Sequence, residues 1–444
     1  MGAQPRSSGP ALAPRFFWLA LLGLIPAALS VGWPDLAWAA LAWDLGLCIA
    51  AAIDFYRAPA ADAVRAERVV ESVLSAGIAN RVEVRLSAAP GARGRFVGEL
   101  RDTPGPGPEV HGVRAAFDFE KETTHLWQLT PKVRGDLAFG DLYLRLLGPL
   151  GLCARQVVVP AEARVKVYPD LTALHRDAMA LARASEAPAN RLLRRAAEGR
   201  EFESLREYRP GDDVRTLDWK ATARRGKAMV RQHQPEKNQT VLLLIDCGRA
   251  MAGLVDGRRK LDHAVDAALK VARVSLDQGD LVGVMAVGAT VRAWLPPRRG
   301  SEQLRAITHA LYRVEATLEE TNWGAAFSLA FAQKVRRSLV LLVTDLLDLD
   351  ASRALVQRTR RLVPRHLPLV ASLVDEDVAA AVAQIPQTLG DAHRRPVAAR
   401  LEDDVLRTVA QLRDAGARVV RTNAKNLGPG AVNAYLDVKA RGLL

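Results

Sequence analysis

VLLLIDCGRAM, residues 241–251, decides the fold. Five apolar residues run without interruption into Asp246, and a glycine follows two positions later. A short unbroken apolar run that ends in a carboxylate and a turn reads as a central parallel strand, buried on both faces. Three further runs have the same build: LVGVMAV (281–287), SLVLLVTD (338–345) and LPLVASLVD (367–375). Helical patterns separate them, so residues 240–444 are expected to form a doubly wound α/β domain. Asp246 and Asp345 then fall at the carboxyl ends of strands, where such sheets bind ligands.

Working outward, the spacing predicts an amphipathic helix over 261–276 and a hairpin edge strand at 291–296. Helices are expected near 301–313, 323–336, 351–362 and 402–415, a last strand at 418–420 and a last helix at 430–439. Upstream, 201–239 mixes charge with turn chemistry at Arg209-Pro210-Gly211-Asp212. A short helix is expected around Trp219 and a strand at 228–233. Arg206 or Arg209 pairing with Asp212 or Asp213 is the structural reading of that segment, and a docking surface is the functional one. Residues 171–200 read as a helical linker. Residues 65–168 carry short alternating runs cut by Gly and Pro, which predict five to seven strands in an immunoglobulin-like sandwich.

Phe16 to Val31 carries no charge, and Leu36 to Ile53 is apolar apart from Asp44. Each is close to the roughly 20 residues that cross a bilayer. Residues 15–57 therefore read as a two-helix transmembrane hairpin behind a tail at 1–14. A cleaved signal peptide ending near Ser30 is the other reading of the first run. Arg6 and Arg15 precede the runs and Arg57, Arg65 and Arg68 follow them, placing both flanks and the bulk of the chain in the cytoplasm. Asp44 inside a span favours pairing with a partner helix or a second copy of the chain.

The net charge is +13 in 444 residues, but basic residues are spread along the chain and interleaved with acidic ones. That is a general arginine bias, and nucleic acid is not the expected partner. Three cysteines, Cys48, Cys153 and Cys247, build no zinc spacing and no disulfide framework. There is no GxSxG elbow, no HExxH and no phosphate-cradling loop before Gly226-Lys227, so catalysis is not expected. A hydrolase and a nucleic-acid-binding protein stand as the alternatives.

The order SLREYRPGDD (204–213), Arg215 and DWKATARRGK (218–227), followed by a strand ending in Asp, resembles the domain-of-unknown-function 58 family. TPKVRGDLAFGDLYLRLLGPLGLCAR (130–155) is similar to the β-domain of that family. The resemblance implies a membrane-anchored protein with a von Willebrand factor A-like domain, a MoxR-type AAA+ ATPase as partner, and no enzymatic reaction. It also implies a cation site of the DxSxS kind, completed by a threonine and a second aspartate. Here the first motif stands as Asp246-Cys247-Gly248-Arg249-Ala250, and Thr321 and Asp345 match the other two elements. Both serine hydroxyls are missing, and Mg²⁺ needs hard oxygen ligands. The expectation is a degenerate site with weak Mg²⁺ binding at most, in which Arg249 or another arginine neutralises the two aspartates. Partner binding is expected at Asp246, Arg249, Thr321 and Asp345. It is also expected on the segment carrying Arg206, Tyr208, Gly211, Asp212, Asp213, Arg215, Asp218 and Trp219.

Overall fold

The computed structural model describes residues 6–170, 176, 180, 201–209, 217–234, 239–332, 337–347 and 349–443. Most of the expected linker at 171–200, together with Gly211, Asp212, Asp213 and Arg215, lies outside them. The chain divides into two compact units, Met1–Tyr168 and Pro169–Leu444.

In the first unit, helices Pro14–Leu29 and Leu36–Arg57 hold 16 and 22 residues. The second is long and apolar enough to cross a membrane; the first is apolar and shorter. Behind them, eleven strands between Val64 and Tyr168 replace the five to seven expected. Pieces such as Val73–Ser75 and Glu109–His111 are three residues long, too short to show an alternation. Where strands are longer the period-two pattern holds. Leu142–Leu147 buries Leu142, Leu144 and Leu146 and exposes Tyr143 and Arg145. Strands of a five-, a four- and a three-stranded sheet share one apolar core. Fully burying each such side chain stabilises by about 1.5–3 kcal/mol. Inside that core Trp127 donates to Asp102 (3.0 Å), whose carboxylate also pairs with the buried Arg68 guanidinium.

The N-terminal segment is not a tail. Arg6–Leu12 is the edge strand of the five-stranded sheet and pairs antiparallel with Cys153–Val159. Gly9, at φ 115°, sits at the register shift that lets a Gly-Pro sequence join a sheet edge.

In the second unit, strands Glu201–Glu207 and Met229–Gln234 form an antiparallel ribbon. The main sheet has six strands, with Thr240–Asp246 third from one edge. This strand runs parallel to Leu281–Val287 on one side and Ser338–Thr344 on the other. Leu367–Leu373 and Arg418–Thr422 extend the parallel array, and Val291–Arg298 is the antiparallel edge. Val241, Leu243 and Ile245 pack with helices Lys260–Asp277 and Ala424–Ala440. Leu242 and Leu244 pack on the opposite face with Trp323–Ala332, Leu349–Leu362 and Leu389–Asp414. Both faces being covered is why the run is apolar at every position.

Three elements escape the sequence pattern. Asp256-Gly257, both at positive φ, turn a two-residue ribbon between the central strand and its helix. Helix Glu376–Ala383 is capped by the Asp375 side chain. Helix Leu389–Asp414 begins well before the expected 402 and carries Pro396 within it.

Polar anchors hold the sheet's amino edge. Asp280 is fully buried and takes the Tyr435 hydroxyl (2.6 Å) and the Lys439 ammonium (2.8 Å). Burial, and then the Asp280 charge, push the Tyr435 hydroxyl far above its ordinary value. His366 is buried with Nδ1 2.8 Å from Ser338 Oγ, and burial, reinforced by Arg365, lowers its pKa. A histidine lowered in the fold takes up protons more readily unfolded, so its contribution is complete above about pH 6.5 and declines as pH falls through that value. Thermal melts between pH 7.5 and 5.5 should therefore show a smaller acid loss for His366→Gln than for the wild type. An equal loss would remove His366 from the account.

Candidate functional site

The carboxyl end of the central strand places Asp246 against two loops. The turn after it is tied to residues 317–322 by backbone hydrogen bonds: Thr317 N to Cys247 O (2.8 Å) and Arg249 N to Glu319 O (2.8 Å). Asn322 N bonds Gly288 O (2.9 Å), anchoring the same loop on the next strand. This stitching brings Thr321 onto Asp246, 75 residues away in sequence.

Each carboxylate oxygen of Asp246 is occupied by donors from the protein. Oδ1 accepts from the Gly248 N–H (2.8 Å) and from the Thr321 hydroxyl, and Oδ2 accepts from the Thr344 hydroxyl (2.5 Å). Gly248 is what permits the Thr321 contact. A Cβ on residue 248 would lie 2.1 Å from Thr321 Oγ1 and 3.0 Å from Glu319 O. A serine at this position, as the DxSxS pattern requires, would drive Thr321 off the carboxylate.

Asp345 follows directly after Thr344. Its Oδ1 accepts from Leu347 N (3.1 Å), and its Oδ2 meets Lys260 Nζ at 2.6 Å. The same ammonium reaches Asp375 Oδ2 at 3.0 Å, at the end of the neighbouring strand. Lys260 is the first residue of its helix and is fixed by its own N–H to Gly253 O (2.8 Å). The cation at Asp345 is therefore a lysine and not the arginine expected. Arg249 is exposed, although Arg421, bidentate on Glu402 (2.5 and 2.6 Å), also feels the Asp345 charge. Sequence reading passed over Lys260 and Asp375; the one available signal was Asp375 ending an apolar run as Asp246 and Asp345 do.

Burial pushes the Asp246 carboxyl above the ordinary carboxylate range, while the Thr321 and Thr344 hydroxyls and the Gly248 N–H pull against it. Burial likewise raises Asp345, with Lys260 opposing. For Lys260, burial works against the charge, yet Asp345 and Asp375 together hold the ammonium above its usual value. Asp246, Thr321, Asp345 and Lys260 are 2%, 7%, 5% and 5% exposed, so the cluster is closed to solvent.

These residues do not fit a magnesium ion. Mg²⁺ wants six oxygens near 2.0–2.1 Å and keeps several waters. The two serine hydroxyls are replaced by Gly248 and Ala250, both Asp246 oxygens already accept hydrogen bonds, and an ammonium lies against Asp345. Among the described residues no three His, Cys, Asp or Glu side chains converge as metal ligands.

Of the other expected site residues, Arg206 lies on the first ribbon strand, Tyr208 just after it, and Asp218 and Trp219 between the two strands; Gly211, Asp212, Asp213 and Arg215 lie outside the described residues. Asp218 caps the short helix Trp219–Arg225 by accepting from Lys220 N and Ala221 N (3.0 Å each). Trp219 is 70% exposed, and Tyr208 is held by its N–H to Ala228 O (2.8 Å). Arg206 donates to Glu207 O (3.2 Å), while Glu207 pairs with Lys227 across the strands (2.8 Å). The expected pairing of Arg206 or Arg209 with Asp212 or Asp213 falls outside the described residues.

Comparison with known proteins finds a family match over part of the chain. Residues 204–388 match the family described as protein of unknown function DUF58, so the chain carries a DUF58 domain there. The matched stretch contains Asp246, Lys260, Thr321, Asp345 and Asp375. The uncharacterized protein Rv1480 of Mycobacterium tuberculosis is 28% identical over 155 residues, 34% of this chain and 48% of that protein. The uncharacterized protein YeaD of Bacillus subtilis is 42% identical over 43 residues, 10% of this chain and 11% of its own. The chain thus matches about half the length of the mycobacterial relative or less. Among solved structures, an uncharacterized membrane spanning protein from Vibrio fischeri aligns at 12% identity and a TM-score of 0.17. That alignment covers 46% of this chain and 98% of the other. The CARDB domain of the PF1109 protein from Pyrococcus furiosus aligns at 12% identity and the same score, covering 23% and 86%. At such scores neither likeness bears on the fold.

The lysine bridge makes a direct prediction. Lys260→Met leaves the buried Asp345 and the half-buried Asp375 without their cation and should cost about 3–5 kcal/mol in chemical denaturation. Lys260→Met combined with Asp345→Asn should recover a substantial part of that loss. Strict additivity of the two substitutions would show that the pair is not coupled.

Proposed function

We propose that this chain is a membrane-anchored interaction scaffold whose α/β unit is a von Willebrand A-like domain with a degenerate cation site. In this reading it works beside a MoxR-type AAA+ ATPase in assembly or envelope processes and catalyses no reaction. The observation that carries it is the closed cluster at Asp246. Hydroxyls and an ammonium from the chain itself take the ligand positions that a cation site would leave to metal, water and partner. A carboxylate with both oxygens satisfied has no water to activate and no substrate access, which speaks against the hydrolase alternative. Partner recognition then falls on the rim around the cluster, where Arg249 is exposed, and on the ribbon with Trp219 and Tyr208.

The anchor reading includes two spans with the bulk of the chain cytoplasmic and an immunoglobulin-like character for the sandwich. Its support is topological. The strand before the first helix and the strands after the second lie in one sheet, so both helix ends belong on one side of a bilayer. The 22-residue helix is about 33 Å long against a hydrocarbon core of about 30 Å, and the 16-residue helix, about 24 Å, spans only with flanking residues. Arg15 and Arg57 at those ends support a cytoplasmic orientation. Asp44 is exposed on its helix, consistent with an intramembrane partner or a second copy covering it.

Two measurements test the reading. The melting temperature should not change between chelator and millimolar Mg²⁺; a rise of several degrees would restore a working metal site. Affinity capture of the full-length protein from membranes should retain an AAA+ ATPase that Trp219→Ala reduces. Retention of no such ATPase by the wild type would remove the proposed partner.

A further inference from the structure

The turn joining strands Leu142–Leu147 and Cys153–Val159 reads Gly148-Pro149-Leu150-Gly151-Leu152 and carries no polar side chain. Turns exposed to water are built from Asn, Asp, Ser, Gly and Pro, and among its Gly and Pro residues this one places Leu150 and Leu152. Here Pro149 is exposed and Leu150 is 54% exposed.

The turn is locked to the ends of both apolar helices. Asp54, fully buried near the end of Leu36–Arg57, accepts from the N–H groups of Leu150 (2.6 Å), Leu152 (2.7 Å) and Cys153 (2.9 Å). Gly148 has to be glycine, because a Cβ there would lie 2.4 Å from Asp54 Oδ1. From the other helix, Ala13 N donates to Leu152 O (2.8 Å), and a Cβ on Gly151 would lie 3.1 Å from the Arg15 guanidinium. Leu152 and Cys153 pack with Leu47, Ala51, Phe16 and Phe55. Arg155 closes the joint, donating to Pro59 O (3.0 Å) and Phe55 O (3.2 Å).

These contacts fix the depth of the turn. Asp54 lies three residues inside the helix end, about 4.5 Å along the axis. The interfacial layer on each side of a bilayer is about 5–7 Å thick, from the difference between its total and hydrocarbon thickness. Arg15, Tyr56 and Arg57 stand exposed at the same level, in the composition of a membrane interface.

We propose that the 148–152 turn is a third membrane contact: its Pro149-Leu150 tip inserts into the interfacial layer of the bilayer and seats the β-sandwich on the lipid surface. The occupant of this apolar patch is lipid, because the patch is continuous with the helix ends, which carry the exposed Arg15, Tyr56 and Arg57. The proposal rests on the membrane-anchored reading above. Asp54, a carboxylate spent on three backbone amides, is the positioning residue that holds the tip at this depth.

The test uses the full-length protein in vesicles of mixed phosphatidylcholine and phosphatidylglycerol, with native cysteines replaced and an environment-sensitive fluorophore on one introduced cysteine. The positions are Leu150→Cys in the turn, Leu41→Cys in the long helix, and Tyr143→Cys on the same sheet. Tyr143 pairs with Val158, five residues along the strand from Cys153 and about 17 Å away. Quenchers are spin-labelled lipids carrying the label near the headgroup or deep in the acyl chain. The expected result is loss of emission at 150 with the shallow quencher, at 41 with the deep one, and at 143 with neither. Quenching at 41 without quenching at 150 would overturn the proposal and leave the anchor standing. No quenching at 41 would overturn the anchor and the proposal with it, and equal quenching at 150 and 143 would show that the tip has no special contact.

Discussion

A carboxylate at the buried end of a central strand has to be neutralised or fully hydrogen-bonded, since leaving it bare costs several kcal/mol. Asp246 is in that position, and the surrounding elements are arranged to satisfy it. The loop at 317–322 is stitched down so that Thr321 reaches one oxygen, and Thr344 ends its strand so that its hydroxyl reaches the other. Asp345, the next residue, cannot share these donors. Its charge is met by Lys260, which also gathers Asp375. One ammonium therefore ties helix Lys260–Asp277 to the ends of two strands. Gly248 is part of the same solution, because only a residue without a Cβ leaves room for the threonine.

The first unit uses the same device. Asp54, buried where two helices meet a sheet, is satisfied by three backbone N–H groups of a single turn. In both places a buried acid joins segments distant in sequence, Asp246 across 98 residues to Thr344 and Asp54 across 99 to Cys153. In each carboxylate both oxygens accept hydrogen bonds from the chain itself. Such groups specify architecture, and their removal would expose unpaired donors on the partner segment.

The sequence made some of this legible. Unbroken apolar runs ending in Asp located the parallel strands, because a strand covered on both faces has no polar position until it emerges. Asp246 and Asp345 followed from that alone, and Thr321 came with the family resemblance. Lys260 did not, since its ammonium finds Asp345 85 residues away only after the Asp256-Gly257 ribbon has turned the chain. The long helix extends upstream of the expected 402–415 through Pro396, a residue type that commonly marks a helix end. The edge strand at 6–12 was hidden by Gly9-Pro10, which reads as loop until the pairing with Cys153–Val159 supplies the missing partner. Long-range contacts of this kind leave little periodicity in the segment itself.

In the proposed reading the chain's own hydroxyls and lysine stand where a cation would be coordinated. The most direct measurement is the paramagnetic resonance signal of free Mn²⁺ titrated with the full-length protein. The wild type should leave the free-ion signal unchanged at equimolar concentrations. Loss of one equivalent of free Mn²⁺, abolished by Asp246→Asn, would contradict the account.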